Sequence, residues 1–165
     1  MPTSRRSFLY TLSAAAPLAA QAPKDSVRLG FIGSGIRGKQ LIDEFLAVPG
    51  AKGIAVADLY DGCRQRAREQ LGEGIQSVRD YRAVLDNKEV DAVVIATPDH
   101  WHERIVLDAL SAGKHVYIEK PMTWRLDEGP RIIAAQKRAG KLLQVGSQPK
   151  TSALTAKARE IVASG

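Results

Sequence analysis

Hydrophobic positions in this chain follow two spacings in turn. Short runs of consecutive apolar residues, bounded by glycine, proline or aspartate, alternate with longer stretches in which apolar residues recur every three to four positions. The first run, Val27 to Ile32, predicts a buried strand, residues 39–48 with Leu41, Ile42, Phe45, Leu46 and Val48 predict a helix, and Lys52 to Ala57 predicts a second strand. The alternation continues with a helix over Asp61 to Leu71, a short strand over Gln76 to Val78 and a short helix over Tyr81 to Leu85. A strong buried strand, Val90 to Ala96, precedes a helix from Trp101 to Ala112 and a strand from His115 to Ile118. A helix from Leu126 to Ala139 stops at Gly140, a strand covers Leu142 to Val145, and a last helix spans Leu154 to Val162. Continuous apolar strands separated by helices imply a parallel sheet covered on both faces. The expected fold is therefore α/β, a doubly wound parallel sheet of the Rossmann type in three α/β/α layers, with no internal repeat.

Between the first strand and helix lies Gly33-Ser34-Gly35-Ile36-Arg37-Gly38, and the second strand ends on Asp58, twenty residues after Gly38. That order of parts describes a dinucleotide site. Gly33 allows a sharp turn, Gly35 carries no side chain to hold a pyrophosphate away from backbone N–H groups, and Gly38 lets the helix approach the sheet. The phosphates would sit at a helix N-terminus, where unpaired N–H groups and the helix dipole favour negative charge. Asp58 would accept hydrogen bonds from an adenosine ribose diol, which favours NAD; Arg64 leaves room for NADP.

Composition narrows the rest. At 165 residues, 44% apolar and 25% charged, the chain suits one soluble globular domain. The opening Ser4-Arg5-Arg6-Ser7-Phe8-Leu9 and the Ala- and Leu-rich stretch to Ala20 have the form of a twin-arginine export signal, residues 1–22, removed from fold reasoning. The expected location is periplasmic or otherwise extracytoplasmic, with the twin-arginine export machinery as a partner. No apolar run is long enough for a permanent membrane anchor. Cys63 is the single cysteine, so neither an internal disulfide nor a Cys-rich metal site forms. His100 and His102 stand two apart, a poor spacing for one metal face on a helix, and no metal is expected. Net charge is +6, and Arg5 and Arg6 supply two of it. The remaining basic residues are dispersed and aromatics make up 5%, so no stacking platform for nucleic acid appears.

Ligands of such sheets collect beyond the carboxyl ends of the strands. There the sequence puts Thr97-Pro98-Asp99-His100-Trp101-His102, Glu119-Lys120-Pro121-Met122 and Gly146-Ser147-Gln148. Thr97-Pro98 also reads as a helix N-cap followed by a first-turn proline. Lys120 is the candidate catalytic residue. Beside a positively charged nicotinamide and partly buried, its ammonium form would be disfavoured, which suits proton exchange with a substrate hydroxyl. Pairing of Lys120 with Glu119 on the surface is the alternative.

Taken together, GSGIRG, the VADLYD segment, ATPDHWH, AGKHVYIEKPM and QVGSQ resemble the glucose-fructose oxidoreductase and inositol dehydrogenase family, Gfo/Idh/MocA, from about Val27 onward. The resemblance implies that Gly33, Gly35, Ile36, Arg37 and Gly38 hold the pyrophosphate and Asp58 the ribose, with Thr97, Pro98 and His102 lining the cofactor. It places Glu119 and Lys120 near the nicotinamide, with Lys120 assisting catalysis and Pro121 shaping the turn, often through a cis bond. The implied chemistry is reversible hydride transfer at a carbinol carbon of a sugar, inositol or similar polyol. An NAD-dependent glycosidase of the same superfamily is a second implication, and a non-catalytic dinucleotide-binding fragment a third; the intact EKP sequence favours the dehydrogenase. Members carry a second α/β domain with most substrate contacts and the oligomer interface. Residues 27–148 are then the dinucleotide-binding domain and 149–165 the start of a helix leading toward a substrate domain beyond this chain. Cofactor binding is the expectation for these residues alone, with homo-oligomers only where that domain is present.

Overall fold

The computed structural model describes residues 26–148 and 152–165. The twin-arginine segment and Pro149-Lys150 lie outside the described residues. The first twenty-one described residues build the architecture's main device: strand β1 (Val27–Ile32), a glycine turn and helix α1 (Ile36–Leu46). Then follow β2 (Ala51–Ala57), α2 (Asp61–Leu71), β3 (Gln76–Val78), α3 (Tyr81–Asp86) and β4 (Ala92–Ile95). A 3-10 turn (Asp99–Trp101) leads into α4 (His102–Ser111), β5 (His115–Glu119), α5 (Glu128–Ala139), β6 (Leu143–Gly146) and α6 (Ala153–Ala163).

The six strands form one parallel sheet in the order β3-β2-β1-β4-β5-β6. Strand β1 lies at its centre, with Ile32 opposite Ala57 of β2 on one side and Ile95 of β4 on the other. The chain therefore leaves β1 in one direction and returns to its far side at β4, which opens a crevice at the carboxyl ends of β1 and β4. Leu29, Phe31, Val56 and Val94 face Leu41 and Ile42 of α1 and Ala67 of α2 in one core layer. Ile32, Ala55, Val93, Ile95 and Ile118 face α3, α4 and α5 in the other. This is the doubly wound fold that the strand and helix spacing implies.

Element ends depart from the sequence reading where a cap or turn intervenes. Helix α1 starts at Ile36 because Gly35 is its extended N-cap, and Val48 lies beyond its end, half exposed. The apolar run at Val90 overstates β4: Val90 is buried, yet its N–H bonds Asn87 O across a turn rather than a neighbouring strand. Leu126 is exposed and precedes α5, which begins at Glu128. The Glu128 carboxylate, buried, accepts the N–H groups of Trp124 and Arg125 at 2.8 and 3.1 Å and so fixes the loop that follows Pro121. Helix α5 stops at Gly140 in the left-handed region, as its sequence predicts.

Candidate functional site

At the end of β1 the chain turns through Gly33 at φ 85°, and a Cβ there would lie 2.8 Å from the Ala96 carbonyl carbon. At Gly38 a Cβ would come within 2.1 Å of Gly33 O, so the first turn of α1 rests directly on the glycine turn. At Gly35 a Cβ would meet nothing within 4 Å. The three glycines thus divide their work as their spacing suggests: a left-handed turn, an open approach and a close contact. No acidic side chain occupies the first turn of α1, and Ile36, at its first position, is exposed. The N–H groups there face an anion's approach without a competing carboxylate.

Asp58 closes β2 against this turn. Its Oδ2 accepts the N–H of Ser34 at 2.7 Å and the Ser34 hydroxyl at 3.3 Å, while Oδ1 accepts the Tyr60 N–H at 2.9 Å. Ser34 is buried, and sequence reasoning missed it because a serine between two glycines carries no signal until its partner is known. Arg64, which the sequence leaves free to meet a 2'-phosphate, is engaged otherwise. Its Nη1 donates to the Asp58 carbonyl at 2.7 Å and its Nη2 to Asp61. Beside Asp58 opens a cavity of about 560 Å³, lined by Gly33, Gly35, Leu59, Tyr81, Pro98 and Trp101 among others. Thr97 lines it too, and its buried Oγ1 has no hydrogen-bond partner among the described residues.

The expectations for the β4 and β5 loops need correction in detail. His102 does not line the cavity. It is buried at the start of α4, with Nδ1 2.7 Å from Pro121 O and Nε2 2.9 Å from Thr97 O, so it ties the loop after β4 to the loop after β5 from behind. Glu119 is buried as well. Its Oε1 accepts Arg37 Nε at 2.7 Å and Gln148 Nε2 at 3.0 Å, and its Oε2 accepts the backbone N–H of Lys120 at 3.0 Å. Gln148, which the sequence places on the rim after the sixth strand with no stated partner, therefore belongs to this group. Arg37 also meets Glu44 and Gln40. Burial opposes its charge, but the bonds to Glu44 and Glu119 outweigh that and raise its pKa above the ordinary arginine value.

Lys120 itself is exposed rather than partly buried, since among the described residues nothing covers the turn on its outer side. Its Nζ makes no hydrogen bond or ion pair among the described residues. Glu119 takes its backbone N–H, not its ammonium, so the surface Lys120–Glu119 pair is not formed. The Lys120–Pro121 peptide is cis.

The open position at Gly35, the unpartnered Thr97 Oγ1 and the carboxylate of Asp58 at the cavity edge suit a dinucleotide. A central crevice in a parallel sheet, with a glycine turn on one lip and an acidic strand end beside it, defines the class of NAD-binding Rossmann proteins. Residues 27–147 match the Gfo/Idh/MocA oxidoreductase family, NAD-binding Rossmann fold, and the chain belongs to that family. The alpha-N-acetylgalactosaminidase of Shewanella oneidensis is 32% identical over 129 residues, covering 73% of this chain and 28% of the relative. Among solved structures, the WlbA dehydrogenase from Bordetella pertussis in complex with NADH and UDP-GlcNAcA superposes with a TM-score of 0.78 at 27% identity. The match covers 85% of this chain and 43% of that one. A 3-ketoreductase from Actinomadura kijaniata in complex with NADP gives 0.77 at 27% identity, covering 85% and 44%. The chain thus spans less than half the length of these relatives. It is an NAD-binding member of an oxidoreductase family whose solved neighbours hold NADH and NADP.

Proposed function

We propose that this chain is the cofactor-binding part of an exported oxidoreductase that moves a hydride between a nicotinamide cofactor and a carbinol carbon of a sugar or polyol. One observation carries the reading: Lys120 stands exposed at the end of β5, on the same rim of the sheet as the open glycine turn. The cofactor, when bound, supplies the hydride acceptor or donor. The chain's own residues do the rest. Asp58 would take the adenosine ribose diol, and the N–H groups after Gly35 the pyrophosphate, with the backbone at Ile36, Arg37 and Gly38 shaping that approach. Thr97 and Pro98 would border the cofactor beyond the pyrophosphate.

Lys120 Nζ would hydrogen-bond the substrate hydroxyl and exchange its proton as the carbinol is oxidised or re-formed. Pro121 would hold that turn toward the crevice. The sugar class is supported by the Bordetella dehydrogenase, whose structure is a complex with NADH and UDP-GlcNAcA. Export is supported by the Arg5-Arg6 pair and the apolar stretch that follows it.

The identity to an alpha-N-acetylgalactosaminidase favours a second reading, a redox-neutral glycosidase using the same cofactor. The two separate in one assay. The protein as encoded, supplied with NAD, is incubated with polyols and with nitrophenyl glycosides while NADH and free nitrophenol are followed. Net NADH that scales with polyol and is lost in Lys120→Ala supports the oxidoreductase. Nitrophenol release that requires NAD yet leaves no net NADH makes the protein a glycosidase.

A further inference from the structure

We propose that Arg37 is a positioning residue, bridged to Glu119 so that it locks the Lys120–Pro121 turn to the cofactor loop, and that its side chain is not a ligand of the cofactor's phosphates. This rests on the NAD-binding reading of the site. Arg37 lies on the first turn of α1, where an arginine next to a glycine turn would ordinarily be assigned to the pyrophosphate. Each of its three nitrogens already donates to an acceptor. Nε bonds Glu119, Nη1 bonds Glu44 at 2.9 Å and Gln40 at 3.2 Å, and Nη2 reaches Glu44 at 3.4 Å. Two carboxylates already surround the one guanidinium, so a phosphate entering there would meet like charge and compete with both for the same N–H groups.

What the bridge joins gives it a purpose. Strands β1 and β5 are not neighbours; β4 lies between them. Arg37 crosses that gap from the helix after β1 to a carboxylate at the end of β5, and Gln148 adds the loop after β6 to the same oxygen. The Glu119 side chain is 6% exposed, so its charge needs this partner. Tyr117, stacked edge to face on Phe45 with ring centres 5.2 Å apart, joins β5 to α1 in the same core layer. With its other oxygen Glu119 holds the N–H of Lys120. The guanidinium on the first turn of α1 therefore sets, through one buried carboxylate, where the Lys120 backbone stands.

Calorimetric titration of the chain with ADP and with NAD tests this, because ADP reaches only the adenosine and phosphate contacts while NAD also extends toward the β5 turn. Arg37→Ala, Arg37→Gln, Glu119→Gln and the Arg37→Ala/Glu119→Gln double variant are compared. The expected result is ADP affinity held within about twofold, and NAD weakened roughly tenfold by either single change, with the double variant no weaker than the singles, as for residues in one network. A loss of ADP affinity of roughly tenfold in both Arg37 variants but not in Glu119→Gln, with a shallower salt dependence, would make Arg37 a phosphate ligand and overturn the proposal. Unchanged NAD binding, additive losses, or loss of ADP binding in every variant also overturn it. Failure of the unsubstituted chain to bind either ligand would instead overturn the NAD-binding reading itself.

Discussion

At Gly35 a side chain would meet open space, and three residues later at Gly38 it would strike a backbone oxygen. The same residue type therefore has opposite consequences. Gly35→Val should leave the circular dichroism spectrum and melting unchanged while abolishing NAD binding in calorimetry, because the new methyls occupy the pyrophosphate's path. Gly38→Ala should lose at least the roughly 1–3 kcal/mol of an overpacked core and more if the turn cannot shift, which urea titration would register. Asp58→Ala should weaken NAD by about 1.5–3 kcal/mol, the scale of hydrogen bonds to a charged group. It also leaves the buried Ser34 N–H without its acceptor, so an affinity loss with no fall in stability would show that this bond matters less than its 2.7 Å length suggests. NADP should bind more weakly than NAD, since Arg64 already serves the Asp58 carbonyl and Asp61; tighter NADP binding would mean that Arg64 leaves these partners.

Among elements, the joint between α3 and β4 depends on a residue far from the crevice. Lys114, buried at the start of the β5 segment, donates Nζ to the carbonyls of Asn87 at 2.7 Å and Val90 at 2.8 Å. Those carbonyls end a turn that the sheet does not pair, so Lys114→Met should cost about 1.5–3 kcal/mol in urea unfolding. Burial, helped by repulsion from Lys88, pushes the Lys114 pKa below its ordinary value. Between that lowered value and the ordinary one the unfolded chain holds more protons than the folded chain, so this group makes stability rise with pH across the window. Tyr81 and Tyr117 act the other way: burial raises both phenols above 10.0, and their contribution is lost as pH climbs through the raised values. The stability difference between Lys114→Met and the unsubstituted chain should therefore widen as pH rises toward 10. A difference constant with pH would mean that Lys114 titrates alike in both states.

For the molecule as a whole, cofactor and fold should be linked. NAD at one hundred times its dissociation constant should raise the unfolding free energy by about 2.7 kcal/mol, read as an upward shift in melting temperature that Gly35→Val abolishes. A cofactor that loads before transport also suits a route for folded cargo, and export should need both Arg5 and Arg6. Replacing the pair by lysines and fractionating cells measures this; undiminished export would assign the N-terminus to another pathway.

The order of layers was readable in the chain because each strand is a run of apolar residues and each helix repeats its apolar face, patterns that depend on neighbours a few positions away. So were the backbone settings of the three glycines and the placing of Asp58 at the end of β2, since a turn, an open position and a strand end are local features. The fates of Arg37, Glu119, His102 and Lys120 were not. Arg37 and Glu119 stand 82 positions apart and meet over an intervening strand. His102 faces two carbonyls from different loops, and the exposure of Lys120 depends on what lies over its turn. A charged or ring side chain can serve a ligand, a buried partner or water equally well. Its choice among them follows from which groups the folded chain brings within about 3 Å, the range in which a hydrogen bond forms.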